Sequence, residues 1–299
     1  MSTTPDYDAH ESNQSTRNRE DFLVHTCKRF EGRVALITGA ARGQGRNHAV
    51  RLAEEGADVV LLDACQEVET LGYDLATPTD LEETARLASA AGARVIAEQV
   101  DVRDTAALEG LVSQTMTSFG RLDVVLANAG IAGSFPIADL TDAIWQDMID
   151  INLTGVFRTV RATVPHLGPG GSIVITSSIA GMKGLANNTH YTAAKHGVVG
   201  LMRSLANEVA PQGIRVNCVN PTNVDTRMLF NDAIYRLFRP DLESPGREDV
   251  EDIMKGMHPL PTGWVDVDDV SNAVLFLASD EARHVTGVAL PVDAGALIQ

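Results

Sequence analysis

The chain is poor in cysteine and has no long apolar run. Its three cysteines, Cys27, Cys65 and Cys218, are odd in number and widely spaced, which argues against a disulfide framework or a zinc site and favours a reducing compartment. No run of ~18 apolar residues exists, so we expect no transmembrane helix. The first segment, MSTTPDYDAHESNQSTRNRED, lacks the apolar stretch of a secretory signal. These absences predict a cytoplasmic protein without a bound metal.

Positive charge is also scarce. The chain of 299 residues has 24 lysines and arginines against 40 acidic residues, a net charge of −16. This balance argues against nucleic acid or an anionic membrane surface as a partner. Hydrophobic residues make up 44%, enough for the core of one large α/β domain or two small ones. We predict a polar, disordered or loosely attached tail over residues 1–30 and one domain over 31–299.

Short apolar segments alternate with helical ones through the rest of the chain. A helix ends before Gly56, and another begins at a Thr79/Asp80 cap and ends at Gly92. The predicted strands are 33–38, 58–63, 94–100, 123–128, 172–177, 214–220 and 287–293. Nearly continuous Val, Ile and Leu in strands separated by helices are typical of a parallel sheet covered on both faces. We therefore predict an α/β, doubly wound Rossmann fold of about seven strands, in the order 3-2-1-4-5-6-7.

A glycine-rich turn follows the first predicted strand. It reads Thr38-Gly39-Ala-Ala-Arg42-Gly43-Gln44-Gly45 and leads into a helix. Glycines let a backbone approach a pyrophosphate at a helix N-terminus. The spacing differs from the commoner G-x-G-x-x-G, and a purely structural turn is the alternative. Its position between the first strand and a helix favours a dinucleotide site.

The residues that end the next strands refine this prediction. Asp63 ends the second strand, where a carboxylate binds the adenosine ribose hydroxyls and repels a 2′-phosphate; this favours NAD over NADP. Arg42 is a contrary signal, because a basic residue in the turn can meet a phosphate. Asp101 and Val102 are predicted to meet the adenine, with Asp101 as a simple cap of a helix near Asp104 as the alternative. The small residues of Asn128-Ala129-Gly130 would let the cofactor pass.

A catalytic constellation lies in TSSIAGMKGLANNTHYTAAKHG. The chain has only four lysines and four tyrosines, yet Tyr191 and Lys195 are four residues apart, on one face of a helix. A cation at ~4 Å supplies ~4 kcal/mol at an effective dielectric near 20, enough to lower a phenol pKa from ~10 to about 7. The pair therefore predicts a general acid/base, and Ser178 would hold the oxygen that gains or loses the proton.

Together these motifs resemble the short-chain dehydrogenase/reductase family over residues 31–299. The resemblance also rests on Asn152 in INLTGVF, on Pro221-Thr222 and on Val292-Asp293-Ala294-Gly295. It implies that Tyr191 is the general acid/base, that Lys195 lowers its pKa and holds the nicotinamide ribose, and that Ser178 positions the substrate oxygen. Asn152 would help to hold a water that relays protons; without the family, a helix-interior residue that satisfies backbone groups would be the default reading. A homotetramer is the implied assembly.

The residues expected to bind NAD can be collected from these motifs and the resemblance. They are Gly39, Arg42, Gly43, Gln44, Gly45, Asp63, Asp101, Val102, Asn128, Ala129, Gly130, Tyr191, Lys195, Pro221, Thr222, Val224 and Thr226. The chain departs from the family at Gln44, at Thr222, where glycine is usual, and at Ala294. These departures affect the details of the nicotinamide contacts rather than the reaction class.

The connection between Asp63 and Gly92 is longer than is usual in the family. Its extra piece, about residues 65–79, resembles that of the mycofactocin-associated subfamily, which includes carveol dehydrogenases. That resemblance implies NAD buried beneath the insertion and reoxidised in place by mycofactocin, a peptide-derived redox carrier. A surface excursion with ordinary NAD exchange is the alternative.

Substrate specificity is expected from three segments, 131–135, 179–185 and a lid at about 227–262. The lid mixes Met, Leu, Phe, Ile and Tyr with charge, which suits a hydrophobic secondary alcohol such as a terpenoid, although its helices also fit ordinary packing on the core. The predicted function is NAD-dependent interconversion of such an alcohol and its ketone. The alternatives are a ketoreductase with freely exchanging NAD(P)H and a non-catalytic dinucleotide-binding scaffold.

Overall fold

A computed structural model describes residues 28–299 of the chain. Seven parallel strands form one sheet in the order β3-β2-β1-β4-β5-β6-β7, as the sequence predicts. The strands are β1 (Val34–Thr38), β2 (Asp58–Asp63), β3 (Val95–Gln99), β4 (Leu122–Ala127), β5 (Leu167–Thr176), β6 (Arg215–Pro221) and β7 (Ala289–Val292).

Helices cover both faces of the sheet. In the described residues they are α1 (Gly43–Glu54), α2 (Pro78–Ala90), α3 (Thr105–Phe119), α4 (Asp142–Ile149), α5 (Gly155–Thr163), α6 (Thr189–Val209), α7 (Asp232–Phe238), α8 (Arg247–Lys255) and α9 (Val267–Ala278). A π-helical turn, Asp150–Thr154, joins α4 to α5. None of these helices is both long and apolar enough to cross a membrane.

The alternation of side chains along the strands creates two cores. Ile37 of β1 packs into a cluster with α1, α2 and α9, whereas its neighbour Leu36 packs into a second cluster with α3, α5 and α6. Both side chains are completely buried or nearly so. Successive strand residues point to opposite faces, so a sheet with helices on both faces needs the continuous apolar strands seen in the sequence.

Several predicted boundaries need correction, most clearly those of the second helix and of strand β5. The second helix begins at Pro78 and not at a Thr79/Asp80 cap, because Thr77 is its N-cap and Asp80 completes the capping box. Strand β5 begins at Leu167 rather than 172, and its pairing with β4 is irregular between Leu122 and Val124.

The folded domain also begins earlier than residue 31. Phe30 is completely buried, and the Arg29 guanidinium binds the Glu55 carboxylate at 2.5 and 2.6 Å. Residues 1–27 of the predicted tail lie outside the described residues.

The turn between β1 and α1 depends on glycine. A Cβ at Gly45 would lie 2.0 Å from the Gly39 carbonyl oxygen, and one at Gly39 would lie 2.7 Å from the Ala129 Cα. Both obstacles are backbone atoms, which cannot rotate away. The first turn of α1 is therefore pressed against the ends of β1 and β4, where the parallel strands finish.

Replacing Gly45 by alanine should lower the free energy of unfolding by about 2 kcal/mol, because the added methyl overpacks the turn. The matched control is Gly110→Ala in α3, where a Cβ meets nothing within 4 Å. Alanine there should stabilise by up to about 1 kcal/mol through helix propensity. Urea denaturation of both variants checks the pair, and equal effects would contradict the steric argument.

Candidate active site

A cavity of about 520 Å³ runs along the carboxyl ends of the strands. Ligands bind at this edge in open parallel sheets, because the loops that follow the strands meet there. Every residue predicted to be catalytic or to bind the cofactor lines this one cavity. The structure thus brings together positions that are up to 187 residues apart, from Gly39 to Thr226.

The glycine turn is held against the end of β4. The Asn128 amide donates to the carbonyl oxygens of Thr38, at 3.1 Å, and Gly39, at 3.3 Å. The Thr38 hydroxyl in turn accepts from the backbone nitrogens of Asn128 and Ala129, both at 2.9 Å. Gly43 has φ +53°, a left-handed conformation that favours glycine. The floor of the cavity is therefore rigid on the side of the turn.

Asp63 and Arg42 occupy the end of the cavity nearest β2. The Asp63 carboxylate accepts from the backbone nitrogens of Ala41 and Cys65, both at 3.1 Å, which fixes its orientation. Arg42 donates through Nη2 to the Asp74 carbonyl at 2.7 Å, but its Nη1 is buried without a partner among the described residues. The Gln44 Oε1 is orphaned in the same way. Unpaired buried polar atoms are costly, so this end of the cavity fits a polar ligand such as a dinucleotide.

The alternative reading of Asp101 as a helix cap is wrong. Asp104 is the N-cap of α3, accepting from the Ala107 nitrogen at 3.0 Å. Asp101 instead forms an ion pair with Arg103 at 2.7 Å while it lines the cavity. Val102 is buried against Gly155, where a Cβ would lie 2.6 Å from its side chain.

The insertion, about residues 65–79, lies beside the cavity and is held by hydrogen bonds to three other parts of the chain. The Thr70 hydroxyl donates to Asp147 at 2.8 Å, the Tyr73 hydroxyl accepts from the Ala132 nitrogen at 3.2 Å, and the Asp74 carbonyl accepts from Arg42. Val68, Leu71 and Leu75 pack in one apolar cluster with Ile131 and Tyr191. This segment is thus a packed cover over the cavity, with aliphatic side chains on its inner face.

Tyr191 and Lys195 lie on α6, as the spacing predicts. The Lys195 Nζ is 5.5 Å from the centre of the Tyr191 ring and donates to the Thr176 carbonyl at 2.9 Å. The Ser178 hydroxyl donates to the Pro221 carbonyl at 3.5 Å and accepts from the Ala180 nitrogen at 3.1 Å, and it lines the cavity together with Tyr191 and Lys195. The three groups therefore converge on one end of the cavity, the end opposite Asp63.

Asn152 sits in the π-helical turn. Its Oδ1 accepts from the Ile131 nitrogen at 3.2 Å, and its Nδ2 donates to the Met148 carbonyl at 3.1 Å. A Cβ on Gly130 would lie 2.7 Å from this Oδ1 and 3.4 Å from the Lys195 Nζ. Gly130 therefore leaves the space in which the amide and the amine approach each other. π-Turns inside helices are frequent at functional sites.

The segment after Thr226, over which a lid is predicted, contributes side chains to the cavity lining. Met228, Leu229, Ile234 and Met257 line the cavity together with Ile131, Ala132, Ile179 and Leu185 from the other two predicted segments. Arg247 anchors this segment: it binds Asp225 at 2.6 Å and lies over the rings of Phe230 and Trp264, at 4.0 and 4.6 Å from their centres. Cation–π contacts of this kind hold exposed segments in place.

Two side chains that form hydrogen bonds with residues of the cavity lining were missed by the sequence argument. They are Tyr73 of the insertion and His258, whose Nε2 lies 2.8 Å from the Thr222 hydroxyl. Both lie in irregular segments where no spacing rule applies. Among residues 28–299 no group of three or more His, Cys, Asp or Glu side chains is arranged to hold a metal, and Cys65 and Cys218 are free thiols.

Comparison with known proteins agrees with this geometry. A family model described as enoyl-(acyl carrier protein) reductase matches residues 39–296. The chain is 54% identical over 275 residues to the (−)-trans-carveol dehydrogenase of Rhodococcus erythropolis, covering 91% of this chain and 99% of that protein. The chain belongs to the short-chain dehydrogenase/reductase family. The resemblance seen in the sequence motifs is thus confirmed.

Solved structures support the same assignment. The crystal structure of carveol dehydrogenase from Mycobacterium avium in complex with NAD has a TM-score of 0.89 and 56% identity, covering 91% of this chain and 99% of that one. A short-chain dehydrogenase from Mycobacterium paratuberculosis bound to NAD has a TM-score of 0.83 and 42% identity, covering 91% and 100%. This dehydrogenase/reductase therefore shares its fold with two proteins whose crystal structures contain bound NAD.

The electrostatics of the dehydrogenase site differ from the sequence expectation. Burial raises the pKa of Tyr191 to about 12, opposed by the hydrogen bond with Ser178. Burial also lowers the pKa of Lys195 to about 8. Burial is the largest influence on the Tyr191 pKa, and the Lys195 amine donates to the Thr176 carbonyl at 2.9 Å while lying 5.5 Å from the centre of the Tyr191 ring. Enclosure thus penalises the charged form of both groups.

Replacing Lys195 by methionine should stabilise the cofactor-free protein at pH 7 by up to about 3 kcal/mol. That is the value of lowering the folded pKa from 10.5 to about 8 at ~1.36 kcal/mol per unit. The advantage should shrink as the pH rises from 8 toward 10.5, because there the folded amine is already neutral while the unfolded one still binds its proton. Urea denaturation at pH 7, 8.5 and 10 measures it.

The control for this experiment is Lys255→Met, which removes an exposed lysine paired with Glu251. Its effect should stay constant between pH 7 and 8.5. A difference between wild type and Lys195→Met that is the same at pH 7 and pH 10 would contradict the burial argument.

Proposed function

We propose that this protein oxidises a hydrophobic secondary alcohol, of the carveol-like terpenoid kind, to its ketone with NAD. One observation carries the proposal. Ser178, Tyr191 and Lys195 converge at one end of a single cavity whose other end holds Asp63 and the glycine turn. A dinucleotide spanning that cavity would place its redox-active ring beside the acid/base residues. The NAD-bound relatives and the carveol dehydrogenases support the choice of cofactor and substrate class.

In the proposed reaction the bound nicotinamide supplies the hydride acceptor. The Ser178 hydroxyl orients the alcohol oxygen, and the Tyr191 oxygen accepts the hydroxyl proton. The Lys195 ammonium would give one of its protons to a water near Asn152 and take up the Tyr191 proton in exchange, and Asn152 Oδ1 lies on the same side of Gly130 as that amine. Lys195 is suited to this transfer, since its pKa of about 8 lets both protonation states exist near neutral pH. The positive charges of the Lys195 amine and of the nicotinamide ring would together offset the free-energy cost of burying a tyrosinate at position 191.

The proposal includes a dinucleotide that is held beneath the insertion. Two observations support this. Three hydrogen bonds hold the insertion to the rest of the domain, and its residues Val68, Leu75 and Ala76 line the cavity. Release would require these contacts to break together. Recycling of NAD in place by a redox carrier such as mycofactocin, and a cytoplasmic homotetramer, complete the proposal; they rest on the resemblance to the subfamily and the family and on the composition of the chain.

A second candidate is a ketoreductase that uses freely exchanging NADPH. The unpartnered Nη1 of Arg42 favours it, because a guanidinium is a good phosphate ligand. Asp63 opposes it, since its carboxylate lines the same end of the cavity and repels a 2′-phosphate. A non-catalytic scaffold is disfavoured because it has no need of the assembled serine, tyrosine and lysine.

Replacing Tyr191 by phenylalanine should abolish turnover of terpene alcohols while leaving the dinucleotide bound, because only the proton acceptor is lost. Turnover is followed by the absorbance of reduced nicotinamide, and bound dinucleotide by chromatography after denaturation. Tyr235→Phe, on the lid helix α7, is the matched control and should retain most of the activity. Unchanged turnover in Tyr191→Phe would reject the assignment of the base.

Protein purified and dialysed extensively should retain stoichiometric NAD, detected by native mass spectrometry and identified after release. Tyr73→Phe removes the tie to the Ala132 nitrogen and should retain less. Thr117→Ala, which removes an exposed hydroxyl on α3, should behave as wild type. An empty protein that turns over with free NAD would reject retention, and an empty protein that reduces ketones with free NADPH in preference to NADH would support the second candidate.

A further inference from the structure

Thr222, which stands where the family usually has glycine, lines the catalytic end of the cavity and adds a hydroxyl there. Its backbone nitrogen donates to the Val292 carbonyl at 3.1 Å, so its position at the end of β6 is fixed. Its Oγ1 lies 2.8 Å from the Nε2 of His258. The proposed mechanism does not use this pair.

The other hydrogen bond of His258 decides whether its Nε2 donates to the Thr222 hydroxyl or accepts from it. The ring is buried, with 5% of the residue exposed, and its Nδ1 lies 3.0 Å from the Met254 carbonyl oxygen. A carbonyl oxygen can only accept, so in the neutral ring Nδ1 carries the proton. Nε2 then has only a lone pair, and the Thr222 hydroxyl must donate to it. The remaining lone pairs of Thr222 Oγ1 are left for a donor in the cavity.

The donor can be identified from the position of Thr222. Pro221, the preceding residue, has its carbonyl oxygen 3.5 Å from the Ser178 hydroxyl, so Thr222 lies beside the reacting end of the cavity. The nicotinamide ring expected there carries one N–H donor group, the amino group of its carboxamide. A hydroxyl fixed as an acceptor matches that group and mismatches a ring that has only a carbonyl in its place.

We propose that His258 is a positioning residue that fixes the Thr222 hydroxyl as an acceptor for the nicotinamide carboxamide. The inference rests on the proposed use of NAD. His258 follows α8, and its neighbour Met257 lines the cavity. The segment over which a lid is predicted therefore also sets the orientation of the hydride acceptor. Rotation of the carboxamide and its ring would expose the wrong atom or face to the alcohol.

The test compares NAD with 3-acetylpyridine adenine dinucleotide, in which a methyl replaces the amino group of the carboxamide. Each protein is freed of its dinucleotide by unfolding in urea and refolded with an equimolar mixture, and the two bound dinucleotides are quantified by chromatography. Thr222→Val, which replaces the hydroxyl by a methyl, should lower the NAD preference about three- to tenfold, the value of one neutral hydrogen bond. Thr222→Ser should keep it.

Variants of His258 test its role through Thr222. His258→Phe frees the hydroxyl to rotate and should lower the NAD preference in the same direction, while adding it to Thr222→Val should cause no further loss. His196→Gln is the matched control, because that exposed ring has the same Nδ1 contact to the carbonyl four residues earlier, at 3.0 Å. Nitrogen NMR of the histidine rings in unliganded protein should show the Nδ1–H form for His258.

Equal weakening of both dinucleotides in Thr222→Val, or an Nε2–H form of His258, would overturn the inference. So would additive losses in the double variant. Failure of the proposed function looks different: a wild-type protein that prefers NAD through Thr222 but oxidises no alcohol rejects the function and leaves the positioning intact. A wild type that oxidises terpene alcohols while all variants keep its NAD preference rejects only the positioning.

Discussion

The parallel register of β1 with β2 and β4 is the constraint on which the rest of the molecule depends. It aligns Thr38 with Leu62, and Ile37 with Leu126, so that the three strands finish at one edge. Asp63 ends β2, and the glycine turn and Asn128 follow β1 and β4, so residues far apart in the sequence meet at this edge. Backbone hydrogen bonds and two apolar cores hold the edge in place, because alternate residues of each strand are buried on opposite faces. The candidate functional residues thus lie mainly at the ends of the strands and in the loops that follow them, and the sheet and its two cores hold them in position.

Much of this architecture could be predicted from the sequence because strong local patterns specify it. Continuous apolar strands gave the sheet and its order, and the tyrosine–lysine spacing gave one face of α6. Boundaries set by single side chains were harder to predict. Thr77 rather than Thr79 caps α2, since its hydroxyl accepts from the Asp80 nitrogen at 3.2 Å, and either threonine fits the pattern.

The site was predictable as a set of residues, but its electrostatics were not. The sequence shows that Lys195 follows Tyr191 by one helical turn, yet only coordinates reveal that its amine is directed at the Thr176 carbonyl. They also reveal that enclosure opposes charge on both groups. The contacts of Tyr73 and His258 depend on irregular segments folding back over the cavity, and no periodicity encodes such contacts. Long-range packing, rather than local preference, decides these features.

The π-helical turn at Asp150–Thr154 has a consequence for how such sequences are aligned and redesigned. Helices α4 and α5 run through it as one rod with a widened turn in the middle. A regular helix advances about 100° per residue, so deleting one residue here would straighten the rod but turn everything beyond it by that angle. Val156 and Val160, which are buried, would then swing out of the core. The number of residues between Met148 and Val156 is therefore as much a part of the site's specification as the identity of Asn152.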